Sequence, residues 1–494
     1  MQAKLTIDRD FTLGKIDERI YGSFIEHLGR AVYTGIFEPG HDTADEQGFR
    51  RDIMDLIRRL NIPIIRYPGG NFVSGYRWTD GIGPKESRPK RLDYAWASLE
   101  PNQFGIDEFA DWCKKAGTTA MVAVNLGTGT PQQAADMVEY CNFKGGTYWS
   151  DLRIQNGHKD PHNFRVWCLG NEMDGPWQTG AKTADEYGRI ANEAAKMMKW
   201  VDPTIELVAC GSSTMDLPTY PEWDRKVLEH TYDNVDFISM HRYYGYDGNV
   251  DDYLASYADL DAFLSAGIAA ADYVKAYKRS KKVMKISLDE WNAWYGTHGP
   301  KPEEAWTVAP PIHEQTYNVM DALCVGGLLT TMLNHSDRVR MGCIAQLVNC
   351  LAILMTEPGK GAYAQTTYYP FMHASLYGRG EALRAILKAP KLDTKHGQVD
   401  AVASAVTFDE EKGELTVFAL NLANEAAQLT VNARSFENLS PIEHIVLDGE
   451  LFACNTFEAP EAIMPRNVAA APCAKGVADV TLPARSWNVL RYKI

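Results

Sequence analysis

Between residues 21 and 346 the chain repeats one unit eight times: a short apolar run, a break at a glycine or polar residue, then apolar side chains at helical spacing. The runs cover residues 21–27, 63–67, 119–125, 166–169, 207–210, 237–241, 285–290 and 339–346. Most are too short for helices and too continuously apolar for strands wetted on one face, so they read as strands buried on both faces of a parallel sheet. Between them, residues 107–115, 132–141, 184–200, 251–278 and 314–333 carry helical periodicity, with Tyr187, Ile190, Ala191, Ala194 and Met198 on one face of the third. Eight strand–helix alternations over this length predict an α/β fold, a (β/α)8 TIM barrel.

The pattern changes after about residue 377. Val402, Ser404, Val406 and Phe408 alternate with their neighbours into Asp409-Glu410-Glu411-Lys412-Gly413, and alternation resumes at Leu415, Val417 and Ala419. That is a hairpin, and further short strands follow without a long helix. Leu5, Ile7, Phe11 and Leu13 alternate in the same way and have no evident barrel role. The expected organisation is therefore N-terminal strands over residues 1–15, a catalytic barrel over 16–378, and a C-terminal jelly-roll-like β-sandwich over 379–494 that the N-terminal strands complete.

The first barrel run ends in Glu26, and two later runs close on acids as well. Arg165-Val166-Trp167-Cys168-Leu169-Gly170 leads into Asn171-Glu172, and Met284-Lys285-Ile286-Ser287-Leu288 into Asp289-Glu290. The C-terminal ends of barrel strands are where such folds carry their chemistry. A lone acid after an apolar run reads equally well as a helix cap or a solvated turn. Two glutamates on two strands, each beside tryptophans whose flat faces suit sugar rings, are the pair a glycosidase needs: one to protonate the departing oxygen, one to attack the anomeric carbon or activate water. Pro68-Gly69-Gly70-Asn71 adds a turn where backbone can approach a ligand closely. No GxxxxGK follows it, so a phosphate cradle is not expected.

Composition narrows the partners. A formal charge of −14 without runs of like charge argues against nucleic acid and anionic membranes. The N-terminus lacks a basic start before an apolar core, and nine scattered cysteines read as reduced thiols, so a cytoplasmic setting is expected. There is no CxxC, and Pro161 between His158 and His162 rules out a helical metal pair. No metal and no cofactor are expected.

The chain resembles glycoside hydrolase family 51, the α-L-arabinofuranosidases, over nearly its whole length. The resemblance rests on six ordered motifs: Gly22 to Arg30, Arg66 to Phe72, Trp167 to Gln178, His241-Arg242-Tyr243-Tyr244, Asp289-Glu290-Trp291-Asn292 and Ala345 to Asn349. It implies hydrolysis of terminal α-L-arabinofuranosyl residues from arabinose-bearing oligosaccharides with retention of configuration, no metal, and a homohexamer. It also implies Glu172 as acid/base and Glu290 as nucleophile, with Glu26, Asn71, Asn171, Tyr243 and Gln346 lining the sugar subsite and Trp96 and Trp294 as walls. His241, His27 and Arg66 are candidates for orienting the carboxylates. A β-xylosidase or endo-glucanase of the same clan, with access set by loops 80–105 and 295–312, is the neighbouring alternative. A catalytically silent sugar-binding protein is the alternative of another class, and the two retained glutamates speak against it.

Overall fold

The computed structural model describes residues 1–296 and 299–494; positions 297 and 298, inside the 295–312 loop named above, lie outside the described residues. Eight parallel strands close a barrel: β3 (Gly22–Phe24), β4 (Ile64–Tyr67), β5 (Thr119–Ala123), β6 (Val166–Leu169), β7 (Glu206–Ala209), β8 (Phe237–Tyr244), β9 (Lys285–Ala293) and β10 (Val339–Ile344). They follow one another around the barrel in chain order, as right-handed strand–helix crossovers require. The interior is filled by Phe24, Ile64, Met121, Ala123, Val166, Cys168, Val208, Phe237, Met341 and Cys343, so it is a packed core and not a pore. All nine cysteines are free thiols, seven of them buried.

Helices α1 (Arg51–Arg59), α2 (Ile106–Ala116), α3 (Pro131–Asn142), α4 (Tyr148–Gln155), α5 (Ala184–Val201), α6 (Glu222–Thr231), α7 (Ser256–Tyr277) and α8 (Val319–Asn334) surround the barrel, and α9 (Tyr368–Tyr377) follows it. Periodicity does not single out α4, α6 or α9. The expected helix over 314–333 begins only at Val319, because Asn318 and Asp321 cap one another: each side chain accepts the other's backbone N–H, at 3.1 and 2.9 Å. The stretch 251–278 is divided by Ala255 into a short turn of helix and α7.

Two strands outrun their apolar cores. β8 continues through Arg242, Tyr243 and Tyr244, and β9 continues through Glu290 to Ala293. Glu290 is thus inside a strand. The register of β9 against β10 slips between Leu288 and Trp291, a bulge-like irregularity that re-aims side chains at the mouth.

Strand β1 (Gln2–Ile7) pairs parallel to β14 (Ala427–Ala433), Leu5 opposite Val431, in a four-stranded sheet with residues 386–388 and β16 (Val477–Leu482). Strand β2 (Thr12–Lys15) edges a seven-stranded sheet that continues through β11 (Glu381–Leu383), β12 (Val402–Asp409), β13 (Glu414–Asn421), β17 (Ser486–Lys493), β15 (Ser440–Leu447) and residues 466–468. Leu5, Ile7, Val406, Val417, Leu429, Val431, Val480 and Leu490 form the core between the sheets. Helix α8 is buried along its whole length from Val319 to Leu333, with the barrel on one side and β12, β13 and β17 on the other. Trp487 of β17 rests on Gly326, where an added Cβ would stand 2.6 Å from its ring.

Candidate active site

At the end of β6, Gly170 turns the chain with φ +94°, and Glu172 follows with φ +42°. A non-glycine residue in that left-handed region is strained and persists only where its surroundings hold it. Here they do. Asn171 is fully buried, its Oδ1 accepting from Arg66 Nη2 at 2.6 Å and its amide donating to Gln178 Oε1 at 3.2 Å; Gln178 in turn donates to Ser74 Oγ. The Glu172 carboxylate accepts from Trp177 Nε1 and faces His241 Nδ1 at 2.9 Å. The Trp177 ring is exposed beside it.

Glu290 faces the same point from β9. Its carboxylate accepts from Arg66 Nη1 at 2.6 Å and Tyr243 OH at 2.9 Å, and His241 Nδ1 lies 3.6 Å away. One oxygen of Glu172 and one of Glu290 stand within 4.8 Å of each other and of a His241 ring nitrogen. Burial pushes the Glu290 carboxyl up and the nearby Glu172 adds to this, while His241 and Arg66 pull it down. Arg66 lies over the Phe24 ring at 4.6 Å, so its position owes to packing as well as charge.

A second network stands behind the two glutamates. His241 Nε2 lies 3.0 Å from Asp289 Oδ1, which also accepts from Ser239 Oγ; Asp289 Oδ2 is 4.0 Å from Arg66 Nε. With carboxylates at both ring nitrogens, the imidazole can satisfy both only as a cation. Burial opposes that charge, but Glu290, Asp289 and Glu172 together raise His241 to about 10. Burial likewise would raise Asp289, yet the bond from His241 and the charge of Arg66 hold it below the usual carboxylate range. Of the two candidate orienting histidines, His241 therefore touches the acids. His27 does not: its ring bonds Glu100 and Tyr67, both at 2.8 Å, and stacks on Phe72.

The third wall is Glu26, just past β3. It accepts from Phe72 N–H at 2.9 Å, Trp96 Nε1 at 3.0 Å and Gln346 Nε2 at 3.4 Å, and Gln346 Oε1 accepts the Glu26 N–H in return. Gly70 makes this possible, since a Cβ there would stand 2.4 Å from Glu26 Oε2. Burial, reinforced by the charge of Glu290, pushes Glu26 up to about 8. Trp294 meets Tyr243 edge-on at 5.3 Å and His313 at 5.8 Å, and His313 meets Trp96 at 5.5 Å, so the three walls join. Asn71, half-exposed, lines an adjoining groove of about 310 Å³ with Phe72, Tyr76 and Tyr94.

Asp289, Ser239, Gln178 and His313 escaped sequence reasoning. For Asp289 the signal was adjacency to Glu290, but strand alternation assigns neighbours to opposite faces, and only the bulge lets both turn toward His241.

Similarity to known proteins agrees with this geometry. Residues 56–253 match the family model of the α-L-arabinofuranosidase 1 domain, and residues 289–486 that of the α-L-arabinofuranosidase C-terminal domain. The chain is 51% identical, over 100% of its length and 99% of the relative, to an intracellular exo-α-(1→5)-L-arabinofuranosidase 1 of Bacillus subtilis. It is 52% identical, over 99% of both chains, to an intracellular exo-α-(1→5)-L-arabinofuranosidase of Halalkalibacterium halodurans. A solved family 51 α-L-arabinofuranosidase from Bifidobacterium longum superposes with a TM-score of 0.95 at 41% identity, covering 99% of each chain. The chain belongs to glycoside hydrolase family 51, the α-L-arabinofuranosidases. The first matched segment holds Glu172 and Tyr243. The second starts at Asp289 and includes Glu290 together with most of the sandwich, so the family's C-terminal unit carries the end of β9, and α8 and β10, of the barrel with it.

Proposed function

We propose that this family 51 glycoside hydrolase is a retaining, exo-acting α-L-arabinofuranosidase that removes terminal non-reducing arabinofuranosyl residues from arabino-oligosaccharides. The observation that carries the reading is the facing of Glu172 and Glu290, one oxygen of each within 4.8 Å. Double displacement uses carboxyl groups roughly 5–5.5 Å apart, whereas inversion needs roughly 6.5–9.5 Å to seat a water. Glu290, its carboxylate accepting from Arg66 and Tyr243 beside His241, attacks the anomeric carbon. Glu172 gives its proton to the departing oxygen and then, as base, takes one from the water that releases the sugar. Its place beside the exposed Trp177 ring suits contact with the leaving group.

Asn171 and Tyr243 sit beside the acids, and Glu26 and Gln346 supply donors and acceptors for ring hydroxyls. At neutral pH the raised carboxyl of Glu26 keeps its proton and can donate as well as accept. Trp96 and Trp294 flank the ring, and Asn71 reaches it from the adjoining groove. The buried Glu26 wall closes the far side of the pocket, which favours chain ends over internal residues. A (1→5) linkage and an intracellular setting follow the names of the two half-identical relatives, and a homohexamer follows the family resemblance. Among the described residues no helix is long and apolar enough to cross a membrane.

The test is a panel of nitrophenyl furanosides and pyranosides with wild type, Glu172→Ala and Glu290→Ala. The α-L-arabinofuranoside is cleaved, and Glu290→Ala loses activity on every substrate. Glu172→Ala retains the first step only where the leaving group needs no proton. Preference for a xyloside or a glucoside would move the reading to the clan's other activities; no turnover with tight sugar binding would make the chain a silent binder.

A further inference from the structure

We propose that Asp107, His158 and His162 form a binding site for a divalent transition-metal ion of the zinc type, remote from the catalytic pocket. The proline between the histidines prevents a helical pair, and residues 157–165 are indeed not helical. The loop nevertheless folds so that the two rings meet edge to face, centroids 5.0 Å apart, against the buried Asp107 and the partly exposed Asp111 of α2. Asp107 and Asp111 stand one helical turn apart on that helix.

The geometry singles the cluster out. One ligand atom from each of Asp107, His158 and His162 lies within 4.8 Å of the other two. His162 Nε2 is 2.8 Å from Asp107 Oδ1. His158 reaches the same oxygen at 4.0 Å through Nε2, and Asp111 Oδ1 at 4.0 Å through Nδ1. Those two gaps are too long for hydrogen bonds, and the His158 ring makes no other to the described residues. Ligands held about 2.0–2.2 Å from a zinc ion in a tetrahedral array sit roughly 3.3–3.6 Å apart, so modest side-chain rotation seats an ion. The Asp107 carboxylate is already oriented, its second oxygen accepting from Tyr140 OH at 2.7 Å, and His162 lies nearly parallel to Phe164 at 5.4 Å. Such outer contacts fix ligand orientation. His162 Nδ1 is buried with no hydrogen-bond partner among the described residues. His158 remains partly exposed, which leaves a path for the ion and room for water or Asp111 as a fourth ligand.

The cluster lies at the N-terminal end of β6, whereas Glu172 stands past its C-terminal end. The ion would therefore pin the 156–165 loop to α2 and take no part in hydrolysis. The loop folds without it, because Arg153 bridges the carbonyls of Tyr140, Phe143 and His158. Glu172, His241 and Glu290 also converge closely enough to chelate, so the experiment must separate the two places.

Full-length protein stripped with a chelator is titrated with zinc chloride by calorimetry, and with cobalt chloride by visible absorption, in wild type and His158→Ala. Wild type is expected to take one ion per chain at the loop, with a rise in Tm and the bands of four-coordinate cobalt. His158→Ala is expected to weaken that ion by at least tenfold and abolish the Tm rise, while its metal-free Tm and hydrolytic rate match wild type. Zinc that inhibits hydrolysis and binds equally to both proteins would be sitting on the catalytic trio. That result, or no binding at the loop, overturns the proposal.

Discussion

Replacing Asp289 by asparagine tests the network behind the catalytic pair. The change is nearly isosteric, and the new amide oxygen can still accept from His241 Nε2, now 3.0 Å from Asp289 Oδ1. What disappears is the charge, and the amide NH2 must face Arg66 Nε and Cys168 Sγ, which the carboxylate now meets at 4.0 and 3.9 Å. A hydrogen bond to a charged group contributes about 1.5–3 kcal/mol, which converts to roughly 10- to 100-fold in rate if it is felt fully in the transition state. The imidazolium loses one of the anions that raise it to about 10, so His241 sheds its proton at lower pH. Asp289→Asn is therefore expected to lose about 10- to 100-fold in kcat/KM, chiefly in kcat, with the alkaline limb of the pH profile moved down. The assay is steady-state hydrolysis of an aryl α-L-arabinofuranoside from pH 4 to 10, with Tm measured alongside to detect unfolding. Activity within twofold of wild type and an unmoved alkaline limb would refute the view that Asp289 positions and charges His241.

Gly326→Ala should lower Tm: the gain of about 1 kcal/mol in helix propensity is smaller than the roughly 1–3 kcal/mol cost of forcing a Cβ to within 2.6 Å of the Trp487 ring. Thermal denaturation checks this, and a raised Tm would show that Trp487 yields easily. Trp96→Phe removes one donor to Glu26 while keeping an aromatic wall, and should raise KM several-fold with kcat little changed. Steady-state kinetics decides it. The stabilising contribution of charged His241 should be complete below its unfolded pKa of about 6.5 and fade as pH rises to about 10. The depressed Asp289 has the opposite sign, contributing above an unfolded pKa of about 3.9 and losing that contribution as pH falls. The Tm difference between wild type and His241→Gln should thus be largest between about pH 4 and 6.5; a difference that grows toward pH 10 would contradict the cationic assignment.

The barrel was legible because its strands are short, continuously apolar and separated by helical spacing, signals that survive without knowledge of contacts. Helix α8 was misplaced at its start because the mutual cap of Asn318 and Asp321 depends on side-chain direction. Glu172 and Glu290 were visible as acids following apolar runs. Their pairing was expected as well; the way both close on one ring of His241 was not, since it depends on β8 and β9 extending past their apolar cores and on the slip in β9. The same limit hid the loop that brings His158 to His162: spacing rules address regular helices, and this segment is irregular.

Helix α8 has no solvent-facing stripe along Val319 to Leu333. It is inner wall to two compartments at once. A clone ending near residue 378 would keep this helix but strip its outer neighbours, leaving Gly326, Gly327 and their flanks, which now meet Trp487 and Leu420, wet and sticky. Neither half of this enzyme should therefore survive on its own in solution, and grafting a relative's sandwich onto this barrel would have to carry the donor's version of that one helix along with it.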